Sequence, residues 1–222
     1  MNQKKIVVFG AETFASLAWY CLSQDSPYEV VAFTVDRDYL QAPTHHDLPV
    51  VAFEDLIFTF PPDSVRILIP LGYHAINSLR RQRYEWAQRQ GYEFVTYVSS
   101  RAITWPDLRI GQNCIVYEAA IIQPFSNIGN NVIIRSAAHI SHHCYIADHV
   151  FISACVALGG NVYIGEQSFI GVGAVVRDGL RIAERSFIAA GAVVVEDTQS
   201  DCAYLGNPAR KILKSALEVT TD

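Results

Sequence analysis

The chain has 222 residues, half of them apolar and 18% charged, with a net charge of −5, seven histidines and five cysteines. Such a composition builds a packed core rather than a disordered chain, and the acidic balance argues against nucleic acid, whose binders usually carry a basic stripe. No apolar run is long enough to span a bilayer and no basic-then-apolar leader opens the sequence, while an odd cysteine count without metal-finger spacing fits reduced thiols in a cytoplasmic protein.

Residues 5–9, closed by Gly10, read as a buried strand, and residues 13–22 as the helix that follows it. A second strand is expected over 29–36 and a third over 65–72. A charged helical stretch over 75–89 leads to a fourth strand over 93–98. Strands alternating with helices imply a parallel sheet with helices on its faces. Residues 1–100 are therefore read as a small α/β, Rossmann-like domain, in which ligands sit beyond the carboxyl ends of the strands. Gly10 and Asp36 lie at two such ends, and residues 99–106 are read as a linker.

From Ile110 to Val194 every sixth residue is Ile, Val or Leu, fifteen times in succession. These three types make up roughly a quarter of ordinary sequence, so chance does not hold such a phase. Six is neither a helix period nor a strand alternation. It is the hexapeptide repeat of a parallel β-helix, whose units bury their apolar faces only by stacking. The fifth hexad position, from Cys114 to Thr198, is never charged or aromatic and also points inward. The second is often Gly, Ala or Ser, as at Gly111, Gly129, Ser141 and Gly165, and is read as a tight turn. Three hexads make one coil of eighteen residues, so residues eighteen apart stack. The β-helix is assigned to 101–200, and 201–222 to a C-terminal tail with a short helix.

Four histidines cluster: His139, His142, His143 and His149. His142 and His143 hold the third and fourth positions of their hexad, both outward. An exposed imidazole on a rigid sheet suits a general base near neutral pH, although a surface histidine without a role has the same pattern. One coil above His142 stands Gly160, whose bare backbone admits a ligand and whose N–H can bind an oxyanion. Ala154, Val172 and Ala190 form a column of small residues, a smooth groove along the coil axis.

The unbroken hexads, Ser141-His142-His143-Cys144, Gly160-Asn161-Val162 and Gly206-Asn207-Pro208-Ala209-Arg210 together resemble the left-handed β-helix acyltransferases. Within them the chain is most similar to the bacterial branch of nucleotide-sugar N-acetyltransferases and sialic acid O-acetyltransferases, over nearly its whole length. The resemblance implies a left-handed helix, acetyl-CoA as co-substrate, no metal, a homotrimer, and a place in surface-polysaccharide synthesis. It implies that His142 is the general base, with His143 standing where an acidic partner is usual. It implies that Gly160 polarises the thioester and that Val172 and Ala190 contact acetyl-CoA. A histidine of the branch near the thiol end matches Phe151, with His149 two residues earlier.

In the front domain Gly10-Ala11 match the start of the nucleotide loop, Asp36 the acidic reader of the base, and Gly72 the glycine after the third strand. Glu12-Thr13-Phe14-Ala15 and Tyr73-His74 depart from the branch's pattern. The implied function is direct acetyl transfer to a nucleotide-linked amino sugar, with no acyl-enzyme. O-acetylation of a sugar hydroxyl is the alternative, and the absent acidic partner of His142 counts against it. Zinc trimers of this fold use two histidines five residues apart, but His139 leads to Cys144 and His142 to Ala147. A non-catalytic β-helix scaffold needs no nucleotide-type domain, and an NAD-dependent dehydrogenase needs the glycine fingerprint that residues 10–15 lack.

Overall fold

A computed structural model describes residues 4–221. The front domain consists of β1 (Lys4–Phe9), α1 (Thr13–Asp25), β2 (Tyr28–Val35), β3 (Thr44–His45), β4 (Leu48–Ala52), α2 (Leu56–Thr59), β5 (Arg66–Leu68), α3 (Ser78–Arg89) and β6 (Glu93–Phe94). Its sheet runs in the order β3-β4-β2-β1-β5-β6, parallel except for β3. From Ile6 to Phe9, β1 is a continuous apolar run because both of its faces are covered there. Ile6 and Val8 pack with Ala15, Ala18 and Leu22 of α1, while Val7 and Phe9 pack with Leu56 of α2 and with Tyr84 and Ala87 of α3.

Several expected elements are corrected. The helix expected from residue 75 begins at Ser78, because Ala75, Ile76 and Asn77 take left-handed backbone with φ of 49°, 47° and 66°. The third strand stops at Leu68, shortly before Pro70, which has no N–H to give to a ladder. The fourth strand is split: Glu93–Phe94 pair with β5, but Tyr97–Val98 pair with Ile115–Val116. Ile103 then bridges to Ile121. The stretch read as a linker therefore belongs to the first coil, which begins at Tyr97, inside the span assigned to the front domain. The β3–β4 hairpin has no counterpart among the expected elements.

Each later hexad contributes a two-residue strand to one of three parallel sheets, in i to i+18 register, as in Ile133↔Phe151 and His139↔Ala157. From Val116 to Val194 every first-position aliphatic is buried, each worth roughly 1.5–3 kcal/mol relative to exposure. The left-handed turn falls at the fourth position, not the second: from Asn113 to Gly191 all fourteen fourth-position residues have positive φ. The second position is small for a different reason. A Cβ on Gly171 would stand 2.5 Å from the Ala190 amide nitrogen of the next coil, so that position is reserved for close coil stacking.

The three outer faces differ. The seam face (Ile115, Ile133, Phe151, Phe169, Phe187) is covered by the front domain and shares its core. The open face presents Ile121, His139, Ala157, Val175 and Val193, with Val175 exposed. The third face carries stacked Tyr145 and Tyr163, with Arg181 lying 3.8 Å over the Tyr163 ring. The tail holds the expected short helix, α4 (Ala216–Thr221), and also an unexpected hairpin. Cys202–Leu205 pairs beside Phe187–Ile188 and Arg210–Ser215 folds back antiparallel.

Candidate functional site

His142 lies at the corner between the open face and the tyrosine face, solvent-exposed as its hexad position requires. Its backbone is held by coil contacts: its N–H donates to Gln123 Oε1 at 3.1 Å and its carbonyl accepts from the Asn161 N–H at 3.0 Å. The ring lies against Gly160, where a Cβ would stand 2.6 Å from Cε1 and 2.9 Å from Nε2. The Gly160 carbonyl accepts from the Gly179 N–H at 2.8 Å. No hydrogen bond from the Gly160 N–H is found among the described residues, which leaves a donor beside an exposed imidazole.

His143, in left-handed backbone at φ 58°, faces His142 through Nδ1···Nδ1 at 3.1 Å and packs on Phe125 at 4.7 Å between centroids. Two facing Nδ1 atoms share one proton. When that proton sits on His142 Nδ1, the ring's Nε2 is left with a lone pair directed away from His143.

Val172 and Ala190 are exposed and stacked, but they follow the seam-face strands Phe169–Ile170 and Phe187–Ile188. They therefore line the next corner of the prism, and the open face separates them from His142 and Gly160. The front-domain residues sit on their side. Gly10 (φ 103°) ends β1, Ala11 follows it, and Phe14 packs 3.5 Å from the place where a Gly72 Cβ would be. Phe14 also meets Phe151 edge-on, and the Tyr73 ring packs 4.0 Å from that of Phe169. No side chain caps the N-terminus of α1, so its N–H groups beside Gly10-Ala11 form an arrangement suited to an anion. Asp36 ends β2, but its carboxylate accepts a two-point fork from Arg83, at 2.7 Å from Nε and 2.9 Å from Nη2.

Sequence reasoning missed a buried polar ladder at the corner between the tyrosine and seam faces. The Ile69 N–H donates to Asn113 Oδ1, Asn113 Nδ2 to Asn131 Oδ1, and Asn131 Nδ2 to His149 Nδ1, each at 2.8 Å. Because the first donor is a backbone N–H, the order of every amide is fixed and His149 is the neutral Nε2–H tautomer. Burial, with Arg80 nearby, pushes its pKa down to about 4. His149 is thus a structural imidazole, and Phe151 beside it is packed into the seam. The eighteen-residue recurrence of Asn113, Asn131 and His149 was the available signal.

Among the described residues no group of three or more His, Cys, Asp or Glu could hold a metal ion, and no helix is long and apolar enough to cross a membrane. No protein-family model and no curated protein sequence matches the chain. Solved structures do. The chain is similar to the acetyltransferase domain of PglB from Neisseria gonorrhoeae, with 27% identity over 95% of this chain and 100% of that one, at a TM-score of 0.85. That domain is also known in complex with acetyl coenzyme A. Equally similar is the GDP-perosamine N-acetyltransferase of Caulobacter crescentus, with 26% identity over 94% and 96% of the two chains and a TM-score of 0.85. Its structures hold CoA and GDP-perosamine, and two of them carry a single histidine replaced by alanine or asparagine. WeeI from Acinetobacter baumannii shares the fold at 23% identity over 95% and 100%, with a TM-score of 0.64. The hexad prism with its α/β front domain is accordingly a left-handed β-helix.

Proposed function

We propose that this chain, an acyltransferase of the left-handed β-helix type, transfers the acetyl group of acetyl-CoA to the amine of a nucleotide-linked amino sugar. The observation that carries the reading is the His142 corner: an exposed imidazole laid against a glycine whose N–H makes no hydrogen bond among the described residues. The amine nitrogen attacks the thioester carbonyl carbon, and His142 Nε2 takes the proton it sheds. The Gly160 N–H faces the developing oxyanion. Collapse of the tetrahedral intermediate breaks the C–S bond and releases CoA, which takes up the proton from the imidazolium. The neighbouring N-acetyltransferases that bind CoA and a nucleotide sugar support this choice of substrates.

The acceptor is assigned to the front domain, with its diphosphate at Gly10-Ala11 and the N-terminus of α1 and with Gly72 beneath it. Asp36 is assigned to the nucleotide base through the lone pairs that Arg83 leaves free. Val172 and Ala190 are assigned to the pantetheine arm. Because the open face separates these residues from His142 within one chain, the site is read as completed between copies of a homotrimer. Each copy's apolar face of Ala157, Val175 and Val193 is buried there, and His142 of one copy meets the groove of the next. A cytoplasmic location and a role in surface-polysaccharide synthesis go with those substrates.

The test is a panel of nucleotide-linked sugars supplied with acetyl-CoA, with release of free thiol followed and each sugar offered in amino and hydroxyl forms. Turnover of an amino form alone is expected. Turnover of hydroxyl forms alone transfers the reading to O-acetylation, and thiol release with none of them discards it. Light scattering of the same preparation checks the trimer.

A further inference from the structure

Arg80 on α3 has no exposed surface, and its guanidinium lies among carbonyls rather than carboxylates. Nη1 donates to the carbonyls of Leu71 and Gly72, both at 3.1 Å, and to Asn77 Oδ1 at 2.9 Å. Nη2 donates to the carbonyls of His149 and Val150 at 2.8 and 3.2 Å. One planar group therefore ties the loop after β5 to a coil of the β-helix. Burial without a counter-charge lowers the pKa of Arg80 to about 9. Taking an ion out of water costs several kcal/mol, while the carbonyls alone need only neutral donors. A fork that spans two backbone segments at once is what arginine adds and lysine lacks.

Other contacts brace the same segment. Asn77, buried in left-handed backbone, donates through Nδ2 to the carbonyls of Gln167 and Ser168 at 2.8 and 3.2 Å. From α4, Thr220 Oγ1 accepts the Ile76 N–H at 2.8 Å and the Thr220 carbonyl accepts the Ala75 N–H at 3.2 Å. Residues 71–77, which begin at the proposed acceptor loop, are thus held by the β-helix on one side and by the C-terminal helix on the other.

We propose that Arg80 is a positioning residue, fixing loop 71–77 against the β-helix so that the bound acceptor stands at a set distance from the acyl groove. This rests on the reading of that loop as the acceptor site. Arg80→Lys keeps the charge and loses the fork. Asn77→Gly keeps the left-handed backbone and loses the side-chain bonds, and it carries both measurements should Arg80→Lys fail to fold. In the full-length protein, amide exchange at residues 75–77 should speed up by about ten-fold in either variant, while residues 139–146 stay unchanged. KM for the accepted nucleotide sugar should rise by about ten-fold with KM for acetyl-CoA unaltered. Unchanged exchange overturns the clamp. Faster exchange with both KM values unchanged, or raised together, overturns the positioning role. A wild type that turns over no nucleotide sugar removes the acceptor reading, and the positioning role falls with it, whatever the exchange shows.

Discussion

Two corners of the β-helix use one piece of backbone and end in opposite chemistry. His143 and His149 hold the same hexad position and nearly the same left-handed conformation, with φ of 58° and 63°. His143 stands in solvent beside another imidazole, whereas His149 is buried under α3, accepts from Asn131 and has its pKa pushed down to about 4. The repeat therefore decides where a side chain starts, and the covering domain decides whether it can exchange a proton. The corner left uncovered is the one available for acid–base chemistry.

The contrast breaks most sharply by deleting one imidazole from each corner. His142→Ala is expected to lower kcat by about 10²–10⁴, with little change in KM for acetyl-CoA, because general-base help is of that size. His149→Ala is expected to destabilise the fold by about 1–3 kcal/mol, since Asn131 loses its acceptor, and to leave kcat within about two-fold at temperatures where the protein stays folded. Steady-state kinetics and denaturant melts on both variants check this, and the reverse pattern would exchange the two roles.

Acid offers the next largest effect. His149 is held neutral, so the unfolded chain binds its proton at a higher pH than the folded one. Stability is full above about pH 6.5 and falls as pH drops from there to about 4, by roughly 3 kcal/mol for a shift of this size. Below pH 4 this group contributes no further loss. Asp25, held at about 2 by bonds from Ser100, Tyr97 and Ser99, adds a separate loss between about pH 3.8 and 2. In His149→Gln the fall between pH 6.5 and 4 should nearly vanish, leaving the shallower slope of His45, whose pKa burial also lowers. Melting temperatures measured at stepped pH would show an unaltered slope if His149 were not the group responsible.

The sequence carried the prism almost completely, because a period of six imposes one register on every rung and any slip would expose an aliphatic column. His142 over Gly160 followed from that arithmetic alone. What it did not carry came from contacts between distant segments. The polar ladder through Asn113, Asn131 and His149 is organised by Ile69 and α3, which have no counterpart in the repeat. The displaced start of α3 reflects three left-handed residues stabilised by Thr220 and Gln167, far along the chain. The small second positions are plain in the sequence, but their reason lies elsewhere. Chain geometry suggested a turn, whereas the crowding lies between coils.

Gly160→Ala probes the open corner without touching the covered one. The added Cβ would meet the His142 ring, an exposed side chain that can swing aside. Melting temperature should therefore hold, while kcat falls by about 10- to 100-fold as the imidazole leaves its place. A fall in stability equal to that of a buried clash would mean that the ring is fixed there for structural reasons.

The smallest effect sharpens the comparison most, because it asks what the facing imidazole does for the proposed base. His143→Ala removes the acceptor facing His142 Nδ1, one neutral hydrogen bond worth about 0.5–1.5 kcal/mol, so kcat should fall by about two- to twelve-fold. His143→Asp replaces that acceptor with a charged one, which favours the imidazolium more strongly than a neutral ring can. It should restore kcat to at least the wild-type level and move the acid limb of the kcat/KM profile to higher pH. If aspartate were as poor as alanine at every pH, His143 would matter for its packing on Phe125 rather than for its nitrogen, and the base at this corner would stand without an orienting partner.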